Sequence, residues 1–200
     1  MTLLASVGER YEEVVRRAEA AGDAWLLGSL ARLLFLAVLA VFFWQSALTK
    51  LGTGLFDPSR GAYFQVVPWA MEAAAYNPAN LGFGAHLLVL LATWAEFLLP
   101  LLVVLGLFTR LASLGMIGFI LVMTLVDLAF HGLKPEIVGT LFDNRADGLW
   151  DRRLLWIFLL AVLVLKGPGP VSLDRLLGRL RQRRQAGGAL TRPEGSPRGS

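Results

Sequence analysis

An apolar run from Leu87 to Arg110, broken near its centre by one ionisable residue, Glu96, constrains this chain most strongly. About 20 apolar residues at ~1.5 Å per residue cover the ~30 Å hydrocarbon core of a bilayer, so the run predicts a membrane-spanning helix. A carboxylate at that depth costs at least ~2.5 kcal/mol. We therefore expect Glu96 to be protonated or to have a polar partner on a neighbouring helix.

The composition extends this prediction to most of the chain. Of 200 residues, 56% are hydrophobic and only 17% are charged, which is more apolar material than a soluble core of this size uses. The sequence predicts an all-α membrane protein, a four-transmembrane-helix bundle over residues 28–166. Because the fourth apolar block is short, we expect it either to include Leu149 and Trp150 or to let Arg152 and Arg153 snorkel outward at its start. The predicted spans are about 28–49, 87–108, 111–131 and 150–166.

Interfacial amphipathic helices and a long loop are predicted outside the spans. Residues 1–27 form either an amphipathic N-tail on the membrane surface or a solvated helical tail. The loop 51–84 carries aromatic residues that suit the membrane interface, where it either packs or covers the bundle as a lid. A basic amphipathic juxtamembrane helix is predicted at 167–185 and a disordered tail at 186–200.

Lysine and arginine residues predict the orientation. Twelve of the 19 lie in the N-tail, the turn after the second span and the C-tail, six lie in the two long loops, and Arg32 lies inside a span. The positive-inside rule then places both termini in the cytoplasm and both long loops outside. The net charge of +4 is concentrated beside a membrane segment, which favours anionic lipid as a partner and not nucleic acid.

Other chemistries are excluded by composition. The chain has no cysteine, so disulfides, thiolate metal sites and a dithiol relay are ruled out, and redox chemistry would require a borrowed cofactor. No serine lies in a G-x-S-x-G setting, so nucleophilic catalysis has no support.

Polar residues follow one stripe on each of three successive spans, at the three-or-four spacing of one helical face. Lipid-facing helices have no reason to confine polar groups in this way, so we expect these faces to point into the bundle. The stripes carry Arg32, Ser46 and Lys50 on the first span, His86, Thr93 and Glu96 on the second, and Ser113, Thr124, Asp127 and His131 on the third.

Helical rise predicts that these stripes meet in an outward-facing polar pocket. Glu96 would form its floor, Gln45, Thr93 and Asp127 its walls, and Lys50, His86 and His131 its mouth. The pocket would bind a small polar or quinone-like ligand, with Glu96 or Asp127 as catalytic proton acceptor and Lys50 or a histidine as electrostatic partner. Alternatively, these groups pair across helices and hold the bundle together. No H-x-x-x-H or H-x-E spacing supports a metal site.

Three segments of the chain carry a set of residues in a characteristic order. They are Arg32 and Lys50, then Glu96, Gly106, Thr109 and Arg110, and finally Gly167, Gly169, Ser172 and Asp174. Together these segments resemble the DoxX family of bacterial membrane proteins, over about residues 28–177. The resemblance implies a four-helix bundle in the bacterial inner membrane. A named relative, the DoxD subunit of a thiosulfate:quinone oxidoreductase, implies electron transfer from a small sulfur compound to quinone.

The main functional prediction is a quinone-facing or membrane-anchoring subunit of a redox system, with quinone as cofactor and a soluble redox partner. Glu96 and Arg110 are its foremost candidate residues, although Arg110 fits equally well as an orientation anchor at the cytoplasmic turn. A second hypothesis is a non-enzymatic scaffold that recruits a soluble partner through its outer loops or basic tail. A third is a small-solute transporter, which with four spans would have to assemble as a homo-oligomer.

Overall fold

Long helices make up most of the chain. The computed structural model describes residues 10–17, 22, 26–142 and 147–190. Most of the predicted N-tail and residues 191–200 of the predicted disordered tail therefore lie outside the described residues. The helices are α1 (10–17), α2 (Leu27–Lys50, π-helical over Phe35–Ala40), α3 (Arg60–Val66), α4 (Pro68–Ala73), α5 (Phe83–Leu105), α6 (Thr109–Phe130), α7 (Pro135–Val138), α8 (Leu149–Lys166) and α9 (Leu173–Leu190).

A small antiparallel hairpin departs from the all-α prediction. Strands β1 (Leu51–Gly54) and β2 (Asp57–Pro58) follow directly after α2. The Asp57 carboxylate closes the turn by accepting a hydrogen bond from the Thr53 hydroxyl at 2.6 Å. A Cβ at Gly52 would lie 2.6 Å from the Asp57 carbonyl oxygen, so only glycine allows the two strands to approach this closely.

Three of the described helices are long and apolar enough to cross a membrane. They are α2, α5 and α6, with 24, 23 and 22 residues. Each has large apolar side chains on its exposed side, such as Leu33, Leu91 and Leu125, which suit contact with lipid. The predicted fourth span corresponds to α8, which has 18 residues and carries Asp151, Arg152 and Arg153 among its first five. That α8 also crosses the membrane stays a prediction.

The core lies where α2, α5, α6 and α8 meet. Phe43 of α2 packs edge-on against Phe119 of α6, with ring centroids 6.1 Å apart, and Trp44 donates an indole hydrogen bond to the Phe97 carbonyl of α5 at 3.2 Å. Leu160 of α8 is fully buried in the same cluster. The helix bundle therefore has one continuous apolar core, to which α8 contributes whether or not it spans the membrane.

Helices α3 and α4 cover the C-terminal end of α2 and the N-terminal half of α5. Ser59 caps α3, because its hydroxyl accepts a hydrogen bond from the Ala62 amide. A second apolar cluster, which includes Tyr63, Met71 and Val89, fixes this pair of helices against α5. The predicted interfacial loop 51–84 is thus largely a hairpin and two short helices packed on the bundle.

At the opposite end, the C-terminal segment packs onto the turn between α5 and α6. Phe108, at the N-cap of α6, has no side-chain acceptor for the exposed amides of the helix. Asp174 supplies the missing acceptor. Its carboxylate accepts hydrogen bonds from the Phe108 amide at 2.7 Å, the Thr109 amide at 3.0 Å and the Thr109 hydroxyl at 3.0 Å. The Asp174 amide donates in return to the Gly106 carbonyl at 2.9 Å. A helix N-terminus is thus capped by a residue 65 positions away.

This cap should make a measurable contribution to stability. Loss of an N-cap side chain costs ~0.5–2 kcal/mol, so Asp174→Ala should lower the free energy of unfolding by about 1–2 kcal/mol, with Asp174→Asn intermediate because it keeps one acceptor oxygen. Thermal unfolding of the detergent-solubilised protein measures the change. The matched control is Arg175→Ala, at the exposed neighbouring position. Equal stability of the Asp174→Ala and Arg175→Ala variants would contradict the assignment.

Candidate functional site

A buried ion pair joins the end of α2 to the middle of α5. The Lys50 ammonium lies 2.9 Å from Glu96 Oε2, and the two side chains are only 4% and 3% exposed. Lys50 also donates to the Ser46 hydroxyl, one helical turn earlier, at 2.7 Å. Because a carboxylate inside a membrane domain requires a compensating charge, Lys50 is the partner that the position of Glu96 demands.

A second charged cluster is centred on Asp127 of α6. Its Oδ2 accepts a hydrogen bond from Arg153 Nη2 of α8 at 2.7 Å, and its Oδ1 lies 2.8 Å from His131 Nδ1. Arg153 also donates to the Thr124 hydroxyl at 2.9 Å and lies over the Trp156 ring, 5.5 Å from its centroid. The cluster therefore connects α6 to α8 as Lys50 and Glu96 connect α2 to α5.

Arg153 was missed as a site residue. Outward snorkelling was one of two alternatives predicted for this end of the block, but the Arg153 side chain turns inward and is only 10% exposed. The reason is Asp127, which needs a cation within the membrane domain as much as Glu96 does. The sequence signal that pointed to such a residue was Asp127 itself, a carboxylate in the third predicted span with no predicted cation partner.

His131 links the Asp127 cluster to the outer helices. Its Nδ1 faces the Asp127 carboxylate, and its Nε2 lies 3.3 Å from the carbonyl oxygen of Phe64 in α3. Carboxylate and carbonyl oxygens only accept hydrogen bonds, so the imidazolium is the form that makes both bonds at once. His131 thus holds α3 over the end of α6 when it is protonated.

A cavity of about 130 Å³ lies between the two charged clusters. It is some tenfold larger than the ~10–15 Å³ that one water requires, yet smaller than the ~300 Å³ of a drug-sized pocket. Apolar side chains of α6, including Val122, Met123 and Val126, form one wall. The cavity therefore suits a small molecule with polar and apolar sides. Its polar lining consists of Ser46, Lys50, Gln65, Glu96, Asp127 and His131.

Three residues predicted for this pocket lie elsewhere. Gln45 is exposed, because it is 100° around the helix from Ser46. The Thr93 hydroxyl donates to the Val89 carbonyl of its own helix at 2.8 Å. His86 lies under α3, where its Nδ1 is 2.7 Å from the Tyr63 hydroxyl. Helical spacing assigned Thr93 and His86 to the correct helix. Thr93 bonds to the backbone of that helix, however, and His86 contacts Tyr63 of α3, so neither lines the cavity.

Tyr63 of α3 and His86 of α5 are joined by a hydrogen bond. Burial raises the pKa of the Tyr63 phenol above its ordinary value, and the Asp57 carboxylate raises that pKa further. The phenol therefore stays protonated, and its oxygen shares a hydrogen bond with His86 Nδ1. This pair holds α3 against α5 beside the cavity and does not open into it.

The remaining predicted residues meet at the other end of the bundle. Arg32 and Lys50 are 18 positions apart on α2, which is roughly 27 Å along the helix. Arg110 is exposed and directs Nη2 towards the Leu165 carbonyl at 3.5 Å, so it does not reach the cavity. The residues grouped near Arg32 at this end are Gly106, Thr109, Gly167, Gly169, Ser172 and Asp174.

Within the described residues, no three His, Asp or Glu side chains come together in a way that could hold a metal ion.

Comparison with known proteins identifies a family. The family model named DoxX matches residues 29–132, just over half of the chain. Neither the curated proteins nor the solved structures contained a match. The matched range contains Lys50, Glu96, Asp127 and His131, and it ends before α8 and Arg153.

The buried pair yields a test by double substitution. Lys50→Met leaves the Glu96 carboxylate without its cation, and removal of one partner of a buried pair costs ~3–5 kcal/mol. Lys50→Met combined with Glu96→Leu removes both charges and should restore most of that free energy of unfolding. Thermal unfolding in detergent measures Lys50→Met, Glu96→Leu and the double variant, with the exposed Lys134→Met as control. A double variant as unstable as the sum of the single ones would show that the two charges do not compensate each other.

Proposed function

The chain belongs to the DoxX family, and we propose that it is a quinone-facing membrane subunit of a redox system. The cavity between Lys50, Glu96, Asp127 and His131 is the observation that carries this proposal. It offers hydrogen-bond donors and proton carriers on one side and an apolar wall on the other. A quinone head group has the matching character, with carbonyl oxygens on an apolar ring. When bound, a quinone supplies the redox chemistry, taking up two electrons and two protons to become the quinol.

Lys50 is the residue best suited to hold a carbonyl oxygen. An ammonium has three N–H donors, and Lys50 uses one on Ser46 and one on Glu96. The third is free to donate to a ligand in the cavity that Lys50 lines. The Glu96 carboxylate keeps the ammonium in place and is the nearest proton carrier. These contacts support Lys50 as a binding residue and Glu96 as its positioning and proton-exchange partner.

Asp127 and His131 provide the exchange of protons with water. Their side chains are 20% and 28% exposed, whereas Lys50 and Glu96 are almost completely buried. Both pairs line the same cavity. Protons taken up at the His131 rim can therefore reach a ligand beside Lys50 without crossing the apolar core. Electrons are supplied by a soluble redox partner, since the chain has no cysteine to form a dithiol relay.

The same proposal makes α8 a fourth span of an inner-membrane bundle. The positive charge of Arg153, which argues against membrane insertion of α8, is compensated by Asp127. Leu160 and Leu163 of α8 also pack in the core shared by α2 and α6. Four spans place both termini on one side, and the bias of twelve to six in Lys and Arg residues favours the cytoplasm.

Quinone binding tests the proposal directly. The purified protein is titrated with a short-chain quinone in detergent, and bound quinone is quantified after extraction. Lys50→Gln should weaken binding at least about tenfold, because loss of a charged hydrogen bond costs ~1.5–3 kcal/mol. Glu96→Gln and Asp127→Asn should weaken it in the same direction.

Glu136→Gln is the control for these variants, because Glu136 is exposed on α7, outside the cavity lining. A wild-type protein that is folded and binds no quinone would contradict the proposal. Variants that all bind as tightly as Glu136→Gln would contradict the placement of the ligand beside Lys50. The first result would favour the scaffold hypothesis, in which the two ion pairs serve packing alone.

A further inference from the structure

Arg32 is a charged residue inside the first membrane span that lacks an anionic partner. Among the described residues, no carboxylate forms an ion pair with it. Its one recorded hydrogen bond runs from Nη2 to the Val171 carbonyl, in the segment before α9. A guanidinium has five N–H donors, so most of them are left for another acceptor. Lys50 and Arg153 in the same bundle each have a carboxylate, which makes Arg32 the exception among them.

Two buried polar atoms at this end of α2 also lack a hydrogen-bond partner. Arg32 Nη1 and the Ser29 hydroxyl are both buried, and neither has a hydrogen-bond partner in the described part of the chain. Buried polar groups in native proteins are nearly always paired with protein, water or an ion. Both Arg32 and Ser29 line the same groove. A ligand in this groove that accepts hydrogen bonds and carries negative charge would supply the missing partner.

Two grooves meet at the Arg32 guanidinium. The first, of about 330 Å³, leads along α2 towards the membrane centre past Leu33, Leu36 and Val104. The second, of about 560 Å³, follows α9 past Leu176 to Arg179. The first groove is lined mainly by apolar side chains, and the second ends at another arginine. An occupant must therefore combine an apolar chain with an anionic group placed between two arginines.

We propose that these grooves bind one anionic phospholipid, with its phosphate between Arg32 and Arg179 and an acyl chain along Leu33 and Leu36. A phosphate accepts several hydrogen bonds at once and matches the guanidinium fork. The lipid supplies the negative charge that no described residue supplies to Arg32. Arg179 is exposed and, in the described part of the chain, is not ion-paired, so it is free to contact the head group. This inference does not depend on the proposed quinone site, which lies at the other end of α2.

The test compares two lipids that differ in head-group charge. The full-length protein in a non-ionic detergent is titrated with phosphatidylglycerol or with phosphatidylcholine of the same acyl chains, and bound lipid is counted by native mass spectrometry. Wild-type protein should bind phosphatidylglycerol at least tenfold more tightly. Arg32→Gln should reduce its affinity to that for phosphatidylcholine. Arg179→Gln should weaken it about fivefold, as expected for one cation at a membrane surface.

Arg175→Gln is the matched control, since Arg175 is an exposed arginine on the same helix that does not line either groove. Its affinity should change less than twofold. If Arg32→Gln fails to fold, the comparison of Arg179→Gln with Arg175→Gln still decides the question. If these two substitutions weakened phosphatidylglycerol binding equally, the specific site between Arg32 and Arg179 would be wrong, and diffuse attraction by the basic helix would explain the binding. If inorganic phosphate bound as tightly as phosphatidylglycerol, the ligand would be a free anion and the proposed lipid would be wrong.

Discussion

The need to compensate charge inside an apolar bundle organises this protein. Two carboxylates, Glu96 and Asp127, lie in helices that are otherwise suited to lipid, and each meets a cation from a different helix. Lys50 connects α2 to α5, and Arg153 connects α8 to α6. In a low-dielectric setting an unpaired charge is far more costly than in water, so these two pairs restrict how the helices can be rotated and shifted against one another. The apolar core around Phe43 and Leu160 then fills the space between them.

The two ends of α2 show how the same constraint leads to different chemistry. At one end Lys50 has a carboxylate and still has one N–H free towards a cavity. At the other end Arg32 donates to a backbone carbonyl and has no acid partner among the described residues. The first arrangement keeps a charged donor in a fixed position within the protein. The second leaves a charge that no described carboxylate compensates, which is the basis of the proposed anionic-lipid site.

Part of the site could be predicted from the sequence. Glu96, Asp127, Lys50 and His131 follow the helical stripes, and the structure brings these four to one cavity. Gln45, Thr93, His86 and Arg110 were assigned to the site as well, but they lie elsewhere. Periodicity placed Ser46 on the correct face, whereas Gln45 was assigned by its depth along the helix and points 100° away from that face. Thr93 lies outside the cavity because its hydroxyl bonds to the Val89 carbonyl of its own helix. His86 lies outside it because it contacts Tyr63 of α3.

The sequence by itself determined that the chain is a helical membrane protein of the DoxX family, because apolar length and spacing are properties of each segment alone. It also determined that the buried carboxylates needed partners. Only the tertiary structure decided which partners they found: Lys50 for Glu96, Arg153 for Asp127, and the remote Asp174 for the N-terminus of α6. The physical reason is that pairing depends on the axial shift and rotation between helices, which result from packing of the whole bundle and are not encoded in the pattern of any one helix.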